Sequence, residues 1–179
     1  MRAVVIYESM YGNTHLIADA IAEGLRSYGE ATVVAVGAAD APVVEGADVL
    51  VVGGPTHAHG MSRPTTRQGA VTAGRKPEAG LMIEPGADGE GVREWLESLG
   101  RLDQKAAAFD TRVDLPVALT GHASKGIAKR LQHHGATLIA EPHSFLVTKQ
   151  DRLEPHEEER ARAWGAELGR TLVAEHATA

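Results

Sequence analysis

The apolar positions of this chain change period from one segment to the next, and those changes mark out its elements. Arg2 to Tyr7 reads RAVVIY, a β-branched run that predicts a short buried strand. From Thr14 onward Ile17, Ile21, Leu25 and Tyr28 recur at helical spacing and Gly29 stands where a helix ends, which predicts a helix over Thr14–Tyr28. Ala31–Val36 (ATVVAV) and Asp48–Val52 (DVLVV) read as the second and third strands, joined through a short turn around Pro42–Glu45. Gly53-Gly54-Pro55 is expected to stop the third. Near-continuous Val, Leu and Ile runs of this kind suit a parallel sheet covered by helices on both faces.

Further along, Val92, Trp95, Leu96 and Leu99 fall at i, i+3, i+4 and i+7 and predict a helix ending near Gly100. Ala106–Asp110 (AAAFD) reads as the fourth strand, and Pro116–Leu119 is a weaker apolar stretch. Lys125–His134 is helical in pattern, its closing His133-His134 suiting the negative helix end, and Ala136–Ala140 (ATLIA) reads as the fifth strand. A last helix is expected after Leu153, where Pro155 fits a first turn, Glu157–Glu159 complement the positive end, and Ala161, Trp164, Leu168 and Leu172 make an apolar stripe. Trp95 and Trp164 lie in such stripes and are assigned to the core. Ser62–Gly89, rich in Gly, Pro, Thr, Arg and Lys with little periodicity, is long for a plain connection and is read as a functional flap or a mobile insert. The element order predicts one doubly wound α/β domain over residues 1–179.

Composition narrows the chemistry. With 179 residues the chain is long enough to bury a sizeable core, and its 0 cysteines remove disulfides, thiolate metal sites and a cysteine nucleophile. Any redox chemistry must therefore come from a bound cofactor. The first strand begins beside Met1, leaving no room for a signal peptide, and no apolar run approaches the roughly 20 residues that cross a bilayer. A cytoplasmic protein with no membrane partner is expected. The net charge of −6 argues against a nucleic-acid partner.

Between the first strand and the first helix lies the loop Glu8–Thr14, the position where free amides and the positive helix end converge on an anion. Ser9 and Thr14 offer hydroxyls, Gly12 permits a tight turn that aims N–H groups inward, and Asn13 tolerates unusual dihedrals. The loop has no lysine, so it is not a nucleotide-hydrolysing P-loop, and Gly-x-Gly-x-x-Gly is absent; a monophosphate ester fits it better. The alternative is an ordinary turn in which Thr14 or Asn13 caps the helix.

Ser9-Met10-Tyr11-Gly12-Asn13-Thr14 resembles the first loop of the flavodoxin superfamily, Ser/Thr-x-Thr-Gly-Asn-Thr, departing from it at Tyr11. A second similarity follows the third strand, at Gly53-Gly54-Pro55-Thr56-His57-Ala58-His59-Gly60, where that family places a flavin-ring loop. The resemblance implies a five-stranded parallel sheet of order 2-1-3-4-5 and an FMN cofactor at the switch between the first and third strands. It implies that Ser9, Thr14 and the amides of Met10 to Asn13 hold the phosphate and that Pro55, Thr56, His57, Ala58, His59 and Gly60 meet the ring edge. It also implies a third flavin loop after the fourth strand, at Asp110-Thr111-Arg112. Flavodoxins sandwich the ring between aromatic side chains, yet aromatics make up 4% of this chain and neither ring loop contains Tyr or Trp. His57, His59 and Met61 are candidate replacements, with Tyr11 from beneath.

His57 and His59 carry further readings: lining the flavin site, plain exposure, or a metal pair that would need more ligands. Lining the site, an imidazole would stabilise negative charge on a reduced ring and raise its potential. No residue stands out as a proton-transfer catalyst. Arg63, Arg67, Arg75, Lys76 and Arg112 make the cofactor rim less acidic than the chain as a whole, although a solvated mobile loop is the better explanation of Arg67, Arg75 and Lys76. Three functions remain open: an FMN protein carrying electrons between protein partners, an FMN-dependent NAD(P)H:quinone-type reductase working on a small-molecule acceptor with the insert as lid, and a flavodoxin-fold binding or regulatory module with little flavin affinity.

Overall fold

The computed structural model describes residues 1–176. In chain order the elements are β1 (Arg2–Tyr7), α1 (Asn13–Leu25), β2 (Glu30–Ala35), α2 (Ala41–Glu45), β3 (Val49–His57), β4 (Gly60–Met61), α3 (Pro64–Gly74), α4 (Val92–Ser98), β5 (Lys105–Val113), α5 (Val117–Thr120), α6 (Ala123–His133), β6 (Thr137–Leu138), β7 (His143–Val147) and α7 (Glu157–His176). The turn expected at Pro42–Glu45 is α2, started by Asp40, whose Oδ1 accepts the Val43 N–H at 3.2 Å.

β2, β1, β3 and β5 lie side by side in parallel, and the fifth position is shared by β6 and β7, both parallel to β5. Counting those two segments as one strand gives the expected order 2-1-3-4-5. Glu141-Pro142 separates them: proline has no N–H to donate, so the ladder stops after Ile139 N–H meets Ala106 O at 2.9 Å and resumes at His143. Alternation sorts the central strands between two cores. Val4, Ile6, Leu50, Val52, Ala106 and Ala108 face α4 and α6, with Trp95, Leu96, Ile127 and Leu131 above them. Val5, Tyr7, Val49, Val51, Ala107 and Phe109 face α1 and α7.

Two strand ends run further than their sequences suggest. β3 continues past Gly53-Gly54-Pro55 to His57, because Gly54 and Pro55 still have strand partners in Asp110 and Thr111. β5 correspondingly extends to Val113, flanked by β3 on one side and β7 on the other, so Asp110-Thr111-Arg112 is paired strand and not a loop. The insert also departs from expectation. Pro64 opens α3, Thr66 Oγ1 accepts the Arg63 N–H at 2.9 Å, and Arg67 is buried rather than solvated. Few apolar residues mark this helix, which is why its period is faint: Val71 is its one buried large side chain of apolar type.

Both phenylalanines and both tryptophans are committed to these cores. Phe109, Phe145 and Trp164 pack edge-on with centroid distances of 6.2, 6.5 and 6.1 Å, and Trp95 Nε1 donates to Ala39 O at 2.8 Å on the opposite face. Edge-to-face pairs of this kind contribute about 0.5–1.5 kcal/mol beyond their buried area. Among the described residues no helix is long and apolar enough to cross a membrane.

Candidate functional site

The carboxyl ends of β1, β3 and β5 open onto a small cleft of about 70 Å³. Its first wall is the loop after β1. Gly12 turns there with φ +89°, a left-handed conformation that side chains disfavour, and its N–H donates to Ser9 Oγ at 3.0 Å. That turn leads into α1 with no side chain capping the helix. The two residues that would cap it are engaged elsewhere: Asn13 Nδ2 donates to Asp151 O at 2.8 Å, and the Thr14 hydroxyl pairs with that of Thr111 at 2.8 Å. Neither residue caps the helix, so its first turn meets the cleft, lined there by Asn13 and Thr14, without a side-chain cap.

The insert buttresses this loop from behind. Tyr11 Oη donates to Ala70 O at 2.6 Å, Glu84 N–H donates to Met10 O at 2.9 Å, and Met10, Val71 and Ala87 form a small core of their own. His15 stacks on Tyr7 with centroids 4.3 Å apart and bonds Glu84 at 2.8 Å. Burial first, then Glu84 and Asp19, push the Tyr7 hydroxyl up to about 12.

The second wall is β3 with its return through β4. Thr56 pairs with Met61 and His57 with Gly60, closing a hairpin over Ala58 and His59, which have φ +44° and +74°. Two-residue hairpin turns demand positive φ and favour Asn-Gly; Ala-His adopts it at a cost of order 1 kcal/mol per residue. The hairpin leans on Gly121, where φ is +71° and an added Cβ would come within 2.2 Å of His59 O. Thr111, Arg112, Val113 and Val147 complete the floor, and Asp151, itself at φ +54°, closes the rim. Arg112 donates to the Leu115 carbonyl at 2.9 Å while its Nε, in the cleft wall, is buried without a hydrogen-bond partner.

A family model described as Flavodoxin matches residues 5–76, which contain both the β1 loop and the hairpin. The fold match extends over the rest. The chain has a flavodoxin-like fold. Oxidised flavodoxin 1 from Bacillus cereus matches it with a TM-score of 0.65 at 22% identity, over 95% of this chain and 98% of its own. The WrbA-like flavodoxin from Agrobacterium tumefaciens gives 0.56 at 23%, over 94% and 95%. Rubredoxin oxygen:oxidoreductase from Desulfovibrio gigas gives 0.62 at 18%, covering 98% of this chain and 37% of that one. No curated protein matches the sequence.

In this flavodoxin-like fold the cleft gathers Ser9, Met10, Tyr11, Asn13, Thr14, Pro55, Thr56, His57, Thr111 and Arg112. Gly12 turns the chain behind them. Ala58 and His59 are exposed at the hairpin tip, and Gly60 begins its return. Asp110 is a correction: fully buried, it gives Oδ2 to the Ser124 N–H at 2.7 Å and so starts α6, while Thr56 Oγ1 accepts from Ala123 N–H at 3.0 Å. Met61 is likewise buried in the core against α6 and offers no ring face. Burial, reinforced by Arg67, holds His57 below the ordinary imidazole range, so it is neutral at pH 7 and is a weak counter-charge for an anion. Among the described residues no three His, Cys, Asp or Glu side chains are grouped to hold an ion.

Two acidic residues escaped the sequence reading. Asp151 enters the cleft from the polar turn before α7, and burial raises its carboxyl above the usual range. Glu8 Oε2 accepts the Val92 N–H at 2.8 Å, anchoring α4 to the end of β1, and burial raises its carboxyl despite Arg67 beside it. Arg67 in turn donates to Ser62 Oγ and meets Glu94, both at 2.9 Å.

Proposed function

We propose that this cleft binds FMN and that the protein carries electrons between protein partners. The uncapped first turn of α1 is the observation that carries the reading: its amides and the positive helix end converge on the cleft, where a phosphate dianion is the natural occupant. Arg112, with a buried unpartnered Nε in the same wall, suits the same anion. Ser9, Thr14 and the amides of Met10 to Asn13 would hold the phosphate, and Pro55 to Gly60 would meet the ring edge. When bound, FMN supplies one- or two-electron chemistry. The residues here would position it, with the hairpin beside the ring edge.

The carrier reading is preferred to a quinone-type reductase because the insert's contacts run to the β1 loop, through Tyr11 and Met10, rather than across the hairpin as a lid. Titration of the purified protein with FMN, followed by visible absorbance, tests the reading. Uptake of about one FMN per chain is expected; a colourless protein that ignores added FMN refutes both redox functions. NAD(P)H oxidation with a quinone acceptor then separates them, since steady turnover favours the reductase.

A further inference from the structure

The chain is acidic overall, with net charge −6, yet one face beside the hairpin is basic. Arg93 Nε and Nη2 donate to the carbonyls of Ser62 and Met61, both at 2.9 Å, which pins a guanidinium at the foot of the β3–β4 hairpin. Arg63 follows in the same segment, exposed. Nearby, α6 carries Lys125, Lys129 and Arg130 and contains no acidic residue. Glu94 is already paired with buried Arg67, and Glu97 reaches Arg130 only at 3.6 Å. Burial, then Arg130 and Arg63, push the Arg93 guanidinium below its ordinary range against the opposing pull of Glu97 and Glu94. On the other side of the hairpin, α5 exposes Val117 (41%) and Leu119 (64%) just before Gly121, the residue bridged to His59.

We propose that the face formed by Gly60–Arg63, α4 and α6 docks an acidic protein partner, with Val117 and Leu119 as an apolar spot at its edge. Concentrating like charge on a chain of the opposite sign costs self-repulsion, which an oppositely charged partner relieves. Arginine is enriched in protein interfaces, and complementary charge gives fast, salt-sensitive encounter suited to a transient carrier. A nucleic acid is the poorer fit, because a long polyanion would run beyond this face onto the acidic remainder of the surface. That the partner exchanges electrons rests on the FMN reading; that it docks here does not.

The full chain is titrated at low and high salt with a [2Fe–2S] ferredoxin of strongly negative net charge, with cytochrome c, strongly positive, as the opposite-charge control. Amide chemical shifts and calorimetry are recorded, and flavin absorbance is read on the same samples. Ferredoxin is expected to bind at low salt, to shift amides of Gly60–Arg63, α4 and α6, and to weaken at least about tenfold in the double variant Arg63→Glu/Arg130→Glu, with cytochrome c unweakened. Both substituted side chains are at the surface, and unchanged thermal unfolding verifies the fold. Absence of ferredoxin binding, equal binding by the double variant, shifts confined to another face, or equal binding of a DNA duplex overturns the proposal. A sample that takes up no FMN refutes the cofactor reading, while the shifts still report on the docking face.

Discussion

Around Ser9–Thr14 the chain is held by partners distant in sequence: Tyr11 by Ala70, Met10 by Glu84, Asn13 by Asp151 and Thr14 by Thr111. The His57–Gly60 hairpin has a strained tip at Ala58 and His59, and it leans on Gly121 without an aromatic residue. One end of the cleft is thus organised before any ligand arrives, whereas the other is short, exposed and poor in stacking surface. Preorganised donors lose little freedom on binding, so affinity should concentrate at the phosphate end and leave the ring end to set exposure and potential.

Replacing Thr14 with Asp attacks this asymmetry hardest. It puts a negative charge in the cradle and removes the bond to Thr111, and FMN affinity should fall by about a hundredfold or more in a fluorescence titration. An unchanged affinity would erase the distinction between the two ends. Asp151→Asn acts in the other direction. The carboxyl's pKa is already raised by burial, and a phosphate nearby raises it further, so FMN binding takes up a proton and wild-type affinity should fall as pH climbs through that range. The Asn variant should bind FMN about three- to tenfold tighter at pH 8 and lose the part of the slope that the phosphate's own ionisation does not explain.

Tyr11→Phe should cost about 1 kcal/mol in chemical denaturation by cutting the tie to Ala70, with a comparable loss of FMN affinity. A stability loss with no loss of affinity would show that the buttress does not organise the cradle. Ala58→Gly should have the smallest effect. Relief of the left-handed strain nearly cancels the extra entropy of glycine, leaving stability within about 0.5 kcal/mol of wild type and FMN affinity unchanged. A large change in affinity would mean the hairpin tip matters more than the comparison allows.

Much of this was readable from local pattern. The alternation of Val4, Val5 and Ile6 fixes two faces of a strand, and a small-polar loop between strand and helix marks the cradle. What the pattern missed depends on distant pairing. Asp110 closes the expected fourth strand and, by the resemblance, begins a flavin loop, but it lies in the sheet centre to start α6. Arg67 looked solvated until Ser62, Glu8 and Glu94 converged on it, and α3 was hidden by PTTRQGAVTAG, which has almost no apolar stripe. Asp151 meets Asn13 across 138 positions, a separation for which local sequence carries no signal. The shortage of ring-stacking residues was visible in composition, whereas its cause, the packing of both phenylalanines and both tryptophans into the cores, emerged only from the fold.

Parallel titrations with FMN and with riboflavin, which lacks the phosphate, test the central claim most directly. A cleft whose affinity comes from the Ser9–Thr14 cradle should bind FMN at least about a hundredfold more tightly than riboflavin, and Thr14→Asp should abolish most of that preference. Equal affinity for the two would contradict the account, because the hairpin rather than the cradle would then be holding the ligand.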